Sequence, residues 1–512
     1  MPLSTWLSRA EPQPGAPRLR SLRVTREEWR AVMEDLRAAS GRLVALWASR
    51  NDGLDTVWAA TLGDSAGLIL SLPLTGGDRA YPGLEDLFPA ANRMQRAIRD
   101  LSGLQSTDLD DRPWLRHAAW PERVRPLVDS IPAPSSSLAP TIDHYDFVRV
   151  EGVGVHEIAV GPVHAGTIEP GHFRFSVVGE KLLRLEERLG YVHKGIEQRF
   201  TQLPILDAHR LAARVSGDSA VAYSWAYAQA LEGIAACEVP PRAIWIRALC
   251  LELERIANHL GDLGALGNDA GFAFGLAQFS RLKENLVRVI QKTLGARYLM
   301  NAIVPGGTSC DVDDFGKECL RDCLRELAGE VATLRTIYDE HEGLRDRFAG
   351  AGAVERELAA RLGLTGLAGR ASGQAYDLRI DIPCAPYMQL APVKCSRREG
   401  DVAARVAVRF DEVHESCRLV EEILASIPPG PYRTEVDLPP AGALGAGLIE
   451  GWRGPVFVAL EAGEAGTIRR CHPHDPSWQN WPVLEHAMIG NIVPDFPLIN
   501  KSFNLSYSGH DV

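Results

Sequence analysis

The first quarter of the chain alternates between helix-like and strand-like spacing of its apolar residues. In TREEWRAVMEDLRAAS, Thr25 precedes two acidic residues in the order that is usual at a helix start. The β-prone runs RLVALWASR and TVWAATLGDSAGLILSLPL follow, and a turn divides the second run. Another helical stretch lies in YPGLEDLFPAANRMQRAIRDLSGL. This alternation predicts a small α/β domain over residues 1–128.

Prolines and serines replace the periodic apolar spacing over residues 129–142, which read DSIPAPSSSLAPTI. This composition predicts an extended, semi-rigid linker. After a strand-like segment, DFVRVEGVGVHEIAVGPV, the pattern becomes mainly helical, and short β-prone segments return in PVFVALEAG and AGTIRRCH. Residues 143–512 are therefore predicted to form a mainly α-helical domain with small peripheral β elements. The whole chain is predicted to have an α+β fold.

Two stretches of the second domain have a clear helical period. One helix is predicted where apolar residues recur at steps of four, three and four, at Leu185, Leu189, Val192 and Ile196. In the other, an apolar stripe runs beside a polar stripe formed by Glu252, Arg255, His259 and Asp262. The polar stripe fits two alternatives, a helix packed inside a large assembly or the solvated edge of a surface helix.

Composition and charge exclude several classes of function. The chain has 512 residues, of which 46% are hydrophobic and 24% are charged, as in globular proteins with a large core. Its net charge of -11 provides no broad positive field for a nucleic-acid backbone. No run approaches the ~18 apolar residues that span a bilayer, and the N-terminus lacks a signal-peptide pattern. The nine cysteines form no C-x-x-C pair, which argues against a disulfide framework.

Several motifs in a fixed order resemble one family. The segment GPVHAGTIEPGHFRFSVVGEKLLRLEERLGYVHKGIEQRF resembles the large subunit of membrane-bound nickel-iron hydrogenases, of the formate hydrogenlyase and hydrogenase-4 type, and the homologous 49-kDa subunit of complex I. RALCLELERIANHLGDLGALGND, GARYLMNAIVPGG and GRASGQAYDLR resemble later motifs of the same family. The N-terminal domain is similar to the 30-kDa subunit of complex I, which is fused to the large subunit in several bacterial enzymes.

The sequence departs from this family at the metal-binding motifs. Family members that are hydrogenases hold nickel and iron with four thiolates from two C-x-x-C motifs, because soft, deprotonated sulfur suits both metals. Here the first motif reads RVSGDS and the second reads NLSYSG. The four thiolate positions are therefore occupied by Ser216, Ser219, Ser506 and Gly509. The resemblance consequently implies no metal and no other cofactor in this chain.

The same resemblance implies a use for the emptied cavity. In complex I the corresponding cavity lies beside the terminal 4Fe–4S cluster of a neighbouring subunit and receives a quinone headgroup. His164 and His172 align with the histidine-containing loop of that site, with a purely structural loop as the alternative reading. Gly217 aligns with the tyrosine that binds quinone in complex I, and Asp218 and Tyr223 are the nearest donors. These alignments make His164, His172, Asp218 and Tyr223 the candidate catalytic residues.

Three hypotheses about function remain open. The first is a metal-free oxidoreductase subunit, related to NADH:quinone oxidoreductases and energy-converting hydrogenases, that binds a quinone-like acceptor and is coupled to ion translocation. The second is a non-catalytic coupling scaffold, and the third is an active hydrogenase, which would need a different ligand set. The implied partners are an iron-sulfur small subunit and antiporter-like and other membrane subunits, with no nucleic acid. The expected location is the cytoplasm, peripheral on the cytoplasmic face of the inner membrane.

Overall fold

The computed structural model describes residues 3–75, 77–117, 120, 124–129, 144–162 and 169–512. Its N-terminal part contains α1 (Leu3–Arg9), β1 (Glu11–Pro12), β2 (Leu19–Arg23), α2 (Arg26–Ala38), β3 (Arg42–Asn51), β4 (Leu54–Leu62), β5 (Gly67–Leu74), β6 (Ala80–Tyr81), α3 (Ala91–Ser102) and β7 (Gln105–Ser106). Five strands form a sheet in the order β1-β2-β5-β4-β3. Except for Asp129, the predicted linker lies outside the described residues, and the domain boundaries stay predictions.

The predicted helix after Thr25 is α2, and its start is fixed by a capping box. The Thr25 hydroxyl accepts the N–H of Glu28 at 3.3 Å, and the Glu28 carboxylate accepts the N–H of Thr25 at 3.1 Å. Two amides that would have no partner inside the helix are thereby satisfied. The apolar face of α2 buries Trp29, Val32, Met33 and Leu36.

The remainder of the chain is mainly helical. It contains β8 (Val155–Val160), β9 (His172–Val178), β10 (Lys181–Arg188), α4 (Ile196–Phe200), α5 (His209–Ala212), α6 (Ala220–Ile234), α7 (Pro241–Asp269), α8 (Ala273–Leu294), β11 (Ile303–Val304), β12 (Gly307–Thr308), α9 (Asp314–Glu340), α10 (Glu342–Phe348), α11 (Arg356–Leu362), α12 (Gly366–Ala371), α13 (Leu378–Asp381), α14 (Tyr387–Leu390), α15 (Val402–Ser426), β13 (Leu444–Glu450), β14 (Pro455–Ala462), β15 (Ile468–His474), α16 (Ser477–Ala487), α17 (Phe496–Phe503) and α18 (Tyr507–His510). Short 3₁₀ turns occupy Glu464–Gly466 and Val493–Asp495. The predicted α+β class is confirmed.

The helix predicted from Leu185 to Ile196 is wrong. Residues 181–188 form strand β10, which pairs with β9 in an antiparallel hairpin. The hairpin closes through Gly179 and Glu180, and Gly179 takes a φ of +59° that other residues adopt only with strain. The apolar period that resembled one helix face runs across a strand, a turn and the start of α4.

Long helices build the core around the candidate site. The 29-residue helix α7 packs against α8 and α15. Its polar stripe is 0–3% exposed, so the solvated-edge alternative is wrong. Each of these charges must therefore be compensated by a partner within the fold. Across the described ranges, none of the helices combines the length and the apolarity needed to cross a bilayer.

The N-terminal sheet packs against the sheet β13-β14-β15. The Trp47 ring lies 5.5 Å from the ring of Phe457 and 5.3 Å from that of His472, measured between centroids. Arg470 adds a polar link by donating from Nε to the carbonyl oxygen of Ala48 at 2.9 Å. The two parts of the chain therefore share a buried interface built from both apolar rings and a hydrogen bond.

Candidate functional site

The four residues that the motif resemblance places at thiolate positions lie close together in the structure. Ser216 and Ser219 lie in the loop before α6, and Ser506 and Gly509 flank the start of α18. The Ser216 and Ser506 hydroxyl oxygens are 2.8 Å apart, and the Gly509 N–H donates to the Ser506 hydroxyl at 2.9 Å. The Ser216 hydroxyl donates its one proton to Asp218 Oδ1 at 2.8 Å, so the proton between the two serines comes from Ser506.

An ion pair closes one side of this cluster. Arg453, which is 6% exposed, donates from Nη1 to Asp218 Oδ1 at 2.8 Å and from Nη2 to the other carboxylate oxygen. Nη1 also lies 3.3 Å from the Ser219 hydroxyl. Burial opposes ionisation of Asp218, but the charge of Arg453 and the bonds from Arg453 and Ser216 hold its pKa below the usual range. Asp218 is therefore an anion that neutralises Arg453.

These residues do not fit a nickel-iron centre. The hydroxyls of Ser216 and Ser506 are hydrogen-bonded to each other, and that of Ser216 is also bonded to Asp218. The Ser219 hydroxyl lies beside the guanidinium of Arg453, and Gly509 has no side chain that could coordinate a metal. A fixed arginine cation would also repel a metal cation in the same space. Within the described ranges, no cluster of three or more His, Cys, Asp or Glu side chains could hold a metal ion. Asp218 supplies the negative charge that balances Arg453.

Asp475 occupies the room beside the fourth ligand position. A Cβ added to Gly509 would lie 2.6 Å from Asp475 Oδ2, which is closer than side chains tolerate. The same oxygen accepts the hydroxyl of Tyr223 at 2.8 Å, and Asp475 Oδ1 accepts the N–H of Ser477 at 2.8 Å. Burial and the Asp475 charge raise the pKa of Tyr223 well above its ordinary value, so the phenol stays protonated.

The cluster lines an open cleft of about 1660 Å³. One wall carries the rings of Phe173 and Phe496, whose centroids are 4.8 Å apart. The cleft is also lined by polar and charged groups, among them Glu169, Asp218, Asn258, Asp262, Lys283, Arg453, Asn500, Lys501, Asn504 and Ser506. Such a cleft offers an apolar surface for a flat ring and hydrogen-bond donors for oxygen atoms at its edge.

One acid of the cleft is bound by several groups at once. Asp262 accepts hydrogen bonds from Arg409 at 2.9 Å and Asn504 at 2.7 Å, and it pairs with Lys501 at 3.2 Å. Burial works against its ionisation, but the charges of Lys501 and Arg409 outweigh burial and lower its pKa to about 2. Asp262 therefore fixes Lys501 at the cleft wall as a paired cation.

The structure separates the sequence-predicted candidates. Asp218 lies in the cluster, and Tyr223 reaches it through Asp475. His172 lines a different cleft, of about 1380 Å³, where its ring lies 5.3 Å from Phe147 and its Nδ1 is 3.2 Å from the carbonyl oxygen of Gly161. The next residue along β9, Phe173, faces the site instead, because successive side chains of a strand point to opposite sides. His164 lies outside the described residues.

Comparisons with known proteins identify the family of the chain. Residues 269–445 match the family model of the 49 kDa subunit of respiratory-chain NADH dehydrogenase. The chain is 32% identical to formate hydrogenlyase subunit 5 of Escherichia coli, over 84% of this chain and 77% of that protein. The chain belongs to the family of hydrogenase large subunits and complex I 49 kDa subunits.

Two further relatives extend the match. Hydrogenase-4 component G of Escherichia coli is 29% identical over 94% of this chain and 84% of its own length, so the similarity includes the N-terminal part. A chain in the structure of the membrane-bound sulfane sulfur reductase, an archaeal respiratory membrane complex, superposes with a TM-score of 0.66 at 25% identity. That match covers 70% of this chain and 99% of the other. The family's members named here are thus subunits of hydrogenases and of respiratory membrane complexes.

Sequence reasoning missed two residues that shape this large-subunit site. Arg453 stands in a glycine- and proline-rich stretch, and Asp475 directly follows strand β15. Neither residue lies in one of the two C-x-x-C motifs, so the comparison of those motifs with the family did not identify them. The signal that could have identified them is electrostatic. A buried arginine near a cavity without thiolates needs a carboxylate as its counter-ion.

Proposed function

We propose that this chain is the large subunit of a membrane respiratory complex and that its emptied cavity binds a quinone-like acceptor without a metal. The observation that carries the proposal is the replacement of the metal ligands by a hydrogen-bonded chain from Ser506 through Ser216 to Asp218, which is closed by Arg453 and opens on a cleft. A carbonyl oxygen of a quinone needs a hydrogen-bond donor, and Arg453 can supply one because Nη2 uses only one of its two N–H groups on Asp218. The Phe173 and Phe496 rings provide apolar surface for the quinone ring.

Electrons must reach such an acceptor from outside this chain. We propose that they come from a 4Fe–4S cluster in an iron-sulfur partner subunit and that membrane subunits of the antiporter type complete the complex. The similarity to subunits of hydrogenase-4, formate hydrogenlyase and an archaeal respiratory membrane complex supports this arrangement. For the same reason we propose the cytoplasmic face of the membrane as the location of this chain.

A coupling scaffold is the second candidate, and the buried ion network of α7 favours it. His259 Nε2 lies 2.8 Å from Glu412, and Arg370 pairs with Glu412 and with Glu450 at 2.7 Å each. Buried ion pairs contribute little net stability relative to apolar packing, whereas rearranging them is costly. Because a lost partner would leave a buried charge uncompensated, a shift of one member would force its neighbours to shift with it, which would carry a change from one side of the network to the other. Ion translocation would be coupled through it.

Photolabelling of the purified complex tests the first candidate. A quinone carrying a photoreactive group is added to the assembled complex, and cross-linked peptides are mapped by mass spectrometry. The account predicts labelling of peptides that contain Phe173 and residues 496–509, with protection by an excess of unlabelled quinone. Arg453→Gln should reduce this labelling, and Arg325→Gln, on the exposed face of α9, should leave it unchanged. Labelling confined to other subunits would contradict quinone binding here and favour the scaffold.

A further inference from the structure

A second, smaller cleft of about 710 Å³ adjoins the site. Gly217, Asp218, Asn258 and Lys283 line both this cleft and the larger one, so the two share a wall. The smaller cleft is also lined by Glu254 and by Tyr298, which is 54% exposed. Its lining therefore joins an exposed residue to Gly217 and Asp218 of the serine loop.

Glu254 differs from the other buried acids of α7. Glu252 and Asp262 are each held by arginines, whereas Glu254 has no ion-pair partner within 4 Å among the described residues. Its carboxylate accepts only the N–H groups of Val221 and Ala222, at 2.7 and 3.3 Å, at the start of α6. The side chain is 8% exposed, so a full negative charge there is poorly compensated.

Glu254 is also linked to Asp218 through the backbone. Asn258 donates from Nδ2 both to the carbonyl oxygen of Asp218 at 2.8 Å and to that of Glu254 at 2.9 Å. The two acids therefore flank one side chain and line one cleft. The carboxylate of Asp218 in turn accepts the hydroxyl of Ser216, which accepts the hydroxyl of Ser506 in the larger cleft.

The groups facing Glu254 determine when it holds a proton. Burial raises the pKa of Glu254 to about 8, the amides of Val221 and Ala222 lower it, the charge of Asp218 raises it, and Arg255 lowers it. The other polar or titratable groups around it are Cys250 and Asn258 on its own helix, Lys283 on α8, and Arg297 and Tyr298 beyond α8. A carboxyl that titrates near neutral pH can both take up and release a proton within one turnover.

We infer that the smaller cleft is a proton entry route to the acceptor cavity, in which Glu254 takes up protons from solvent and passes them toward Asp218. The inference rests on the proposed function. Reduction of a quinone to its quinol consumes two electrons and two protons, because each C=O becomes C–OH. The electrons come from the iron-sulfur cluster of the partner subunit, and the protons come from water through Glu254. Glu254 does not touch the acceptor and acts through Asp218 and the serine hydroxyls.

Two measurements on the assembled complex test this inference. Infrared spectroscopy should find a protonated carboxyl at pH 7 that titrates near pH 8 in the wild type and is missing in Glu254→Gln. Quinone reduction, measured from pH 6 to pH 9, should be at least about tenfold slower in Glu254→Gln and should have lost the wild-type pH profile. Glu254→Asp should recover part of the rate. Glu357→Gln, an exposed acid on α11, is the control that should match the wild type.

The outcomes separate the two claims. Glutamine keeps an oxygen that can accept the amide of Val221, so Glu254→Gln should assemble normally, and subunit retention is checked on native gels. An assembled Glu254→Gln complex with wild-type turnover and pH profile would overturn the proton route and leave quinone binding intact. A wild-type complex that neither binds nor reduces quinone would overturn the proposed function, and the proton route with it.

Discussion

The hydroxyl oxygens of Ser216 and Ser506 lie 2.8 Å apart although 290 positions separate them in the chain. The motif resemblance places each at a position where the family's hydrogenases have a metal-binding cysteine. In place of the soft anionic sulfur that such a position implies, the site has a neutral hydroxyl pair beside one Asp–Arg ion pair. Such a site can bind and donate hydrogen bonds, but it has no ligands for a low-valent metal.

Gly509→Ala should destabilise the protein. The added Cβ would lie 2.6 Å from Asp475 Oδ2 and 2.9 Å from the Ser506 hydroxyl, so one of these groups must move. We expect a loss of about 1–3 kcal/mol in the free energy of unfolding, from urea denaturation of the full-length chain. Gly329→Ala is the control, because it adds a Cβ in open space on helix α9 and should be neutral or slightly stabilising. Equal stability of the two variants would mean that Asp475 does not fill this position.

Asp218 and Arg453 should show strong energetic coupling. Asp218→Asn leaves a buried guanidinium without its counter-ion, and Arg453→Gln leaves the carboxylate without its cation. Because the Asp218 side chain is 38% exposed, we expect each single change to cost only about 1–3 kcal/mol. The double variant should lose less than the sum of the two, measured in a double-mutant cycle. Strictly additive losses would argue against the ion pair.

The pH dependence of stability should reveal Asp262. Its pKa is lowered from 3.8 to about 2, so the stabilisation is fully present above pH 3.8 and is lost as the pH falls through about 2. Asp262→Asn should remove this acid-side loss, which amounts to about 2 kcal/mol. Unfolding curves recorded between pH 5 and pH 2 measure it. Asp314→Asn, whose side chain is 98% exposed, is the matched control and should follow the wild-type curve.

His172→Ala should change stability rather than acceptor binding. The imidazole bonds the carbonyl oxygen of Gly161 and packs near Phe147, in a cleft that does not contain the serine cluster. Burial lowers its pKa, so the ring is neutral at pH 7. We expect a loss of about 1 kcal/mol in stability and an unchanged KM for quinone. A raised KM for quinone in a fully assembled His172→Ala complex would contradict this prediction and indicate that His172 contributes to acceptor binding.

Much of the fold could be predicted because local signals and tertiary packing agree. The capping residues of α2 and the apolar stripe of α7 each specify a helix, and both helices formed. The hairpin β9–β10 was missed because its hydrophobic spacing also fits a helix, and only the turn at Gly179 distinguishes the two. Hydrogen bonding between β9 and β10 favours the strand over the helix in this segment. The spacing of apolar residues along the sequence does not reveal such pairing.

The site was predictable only where a family motif marked it. Replacement of the cysteines identified Ser216, Ser219, Ser506 and Gly509, and proximity in sequence added Asp218. Arg453, Asp475 and Glu254 come from other segments, and their roles depend on burial and on which carboxylates have an arginine nearby. Those properties arise from the folded arrangement of α6, α7 and the loop before β14, so no spacing rule could have supplied them.

Elemental analysis of the active, affinity-purified complex tests the central claim most directly. The claim is that the cavity formed by Ser216, Ser219, Ser506 and Gly509 works without a dinuclear metal centre. Metal content is measured per mole of this chain in a preparation that retains its partner subunits and its acceptor reduction. The account predicts iron from the iron-sulfur partner and no stoichiometric nickel. One nickel per chain in such a preparation would contradict it.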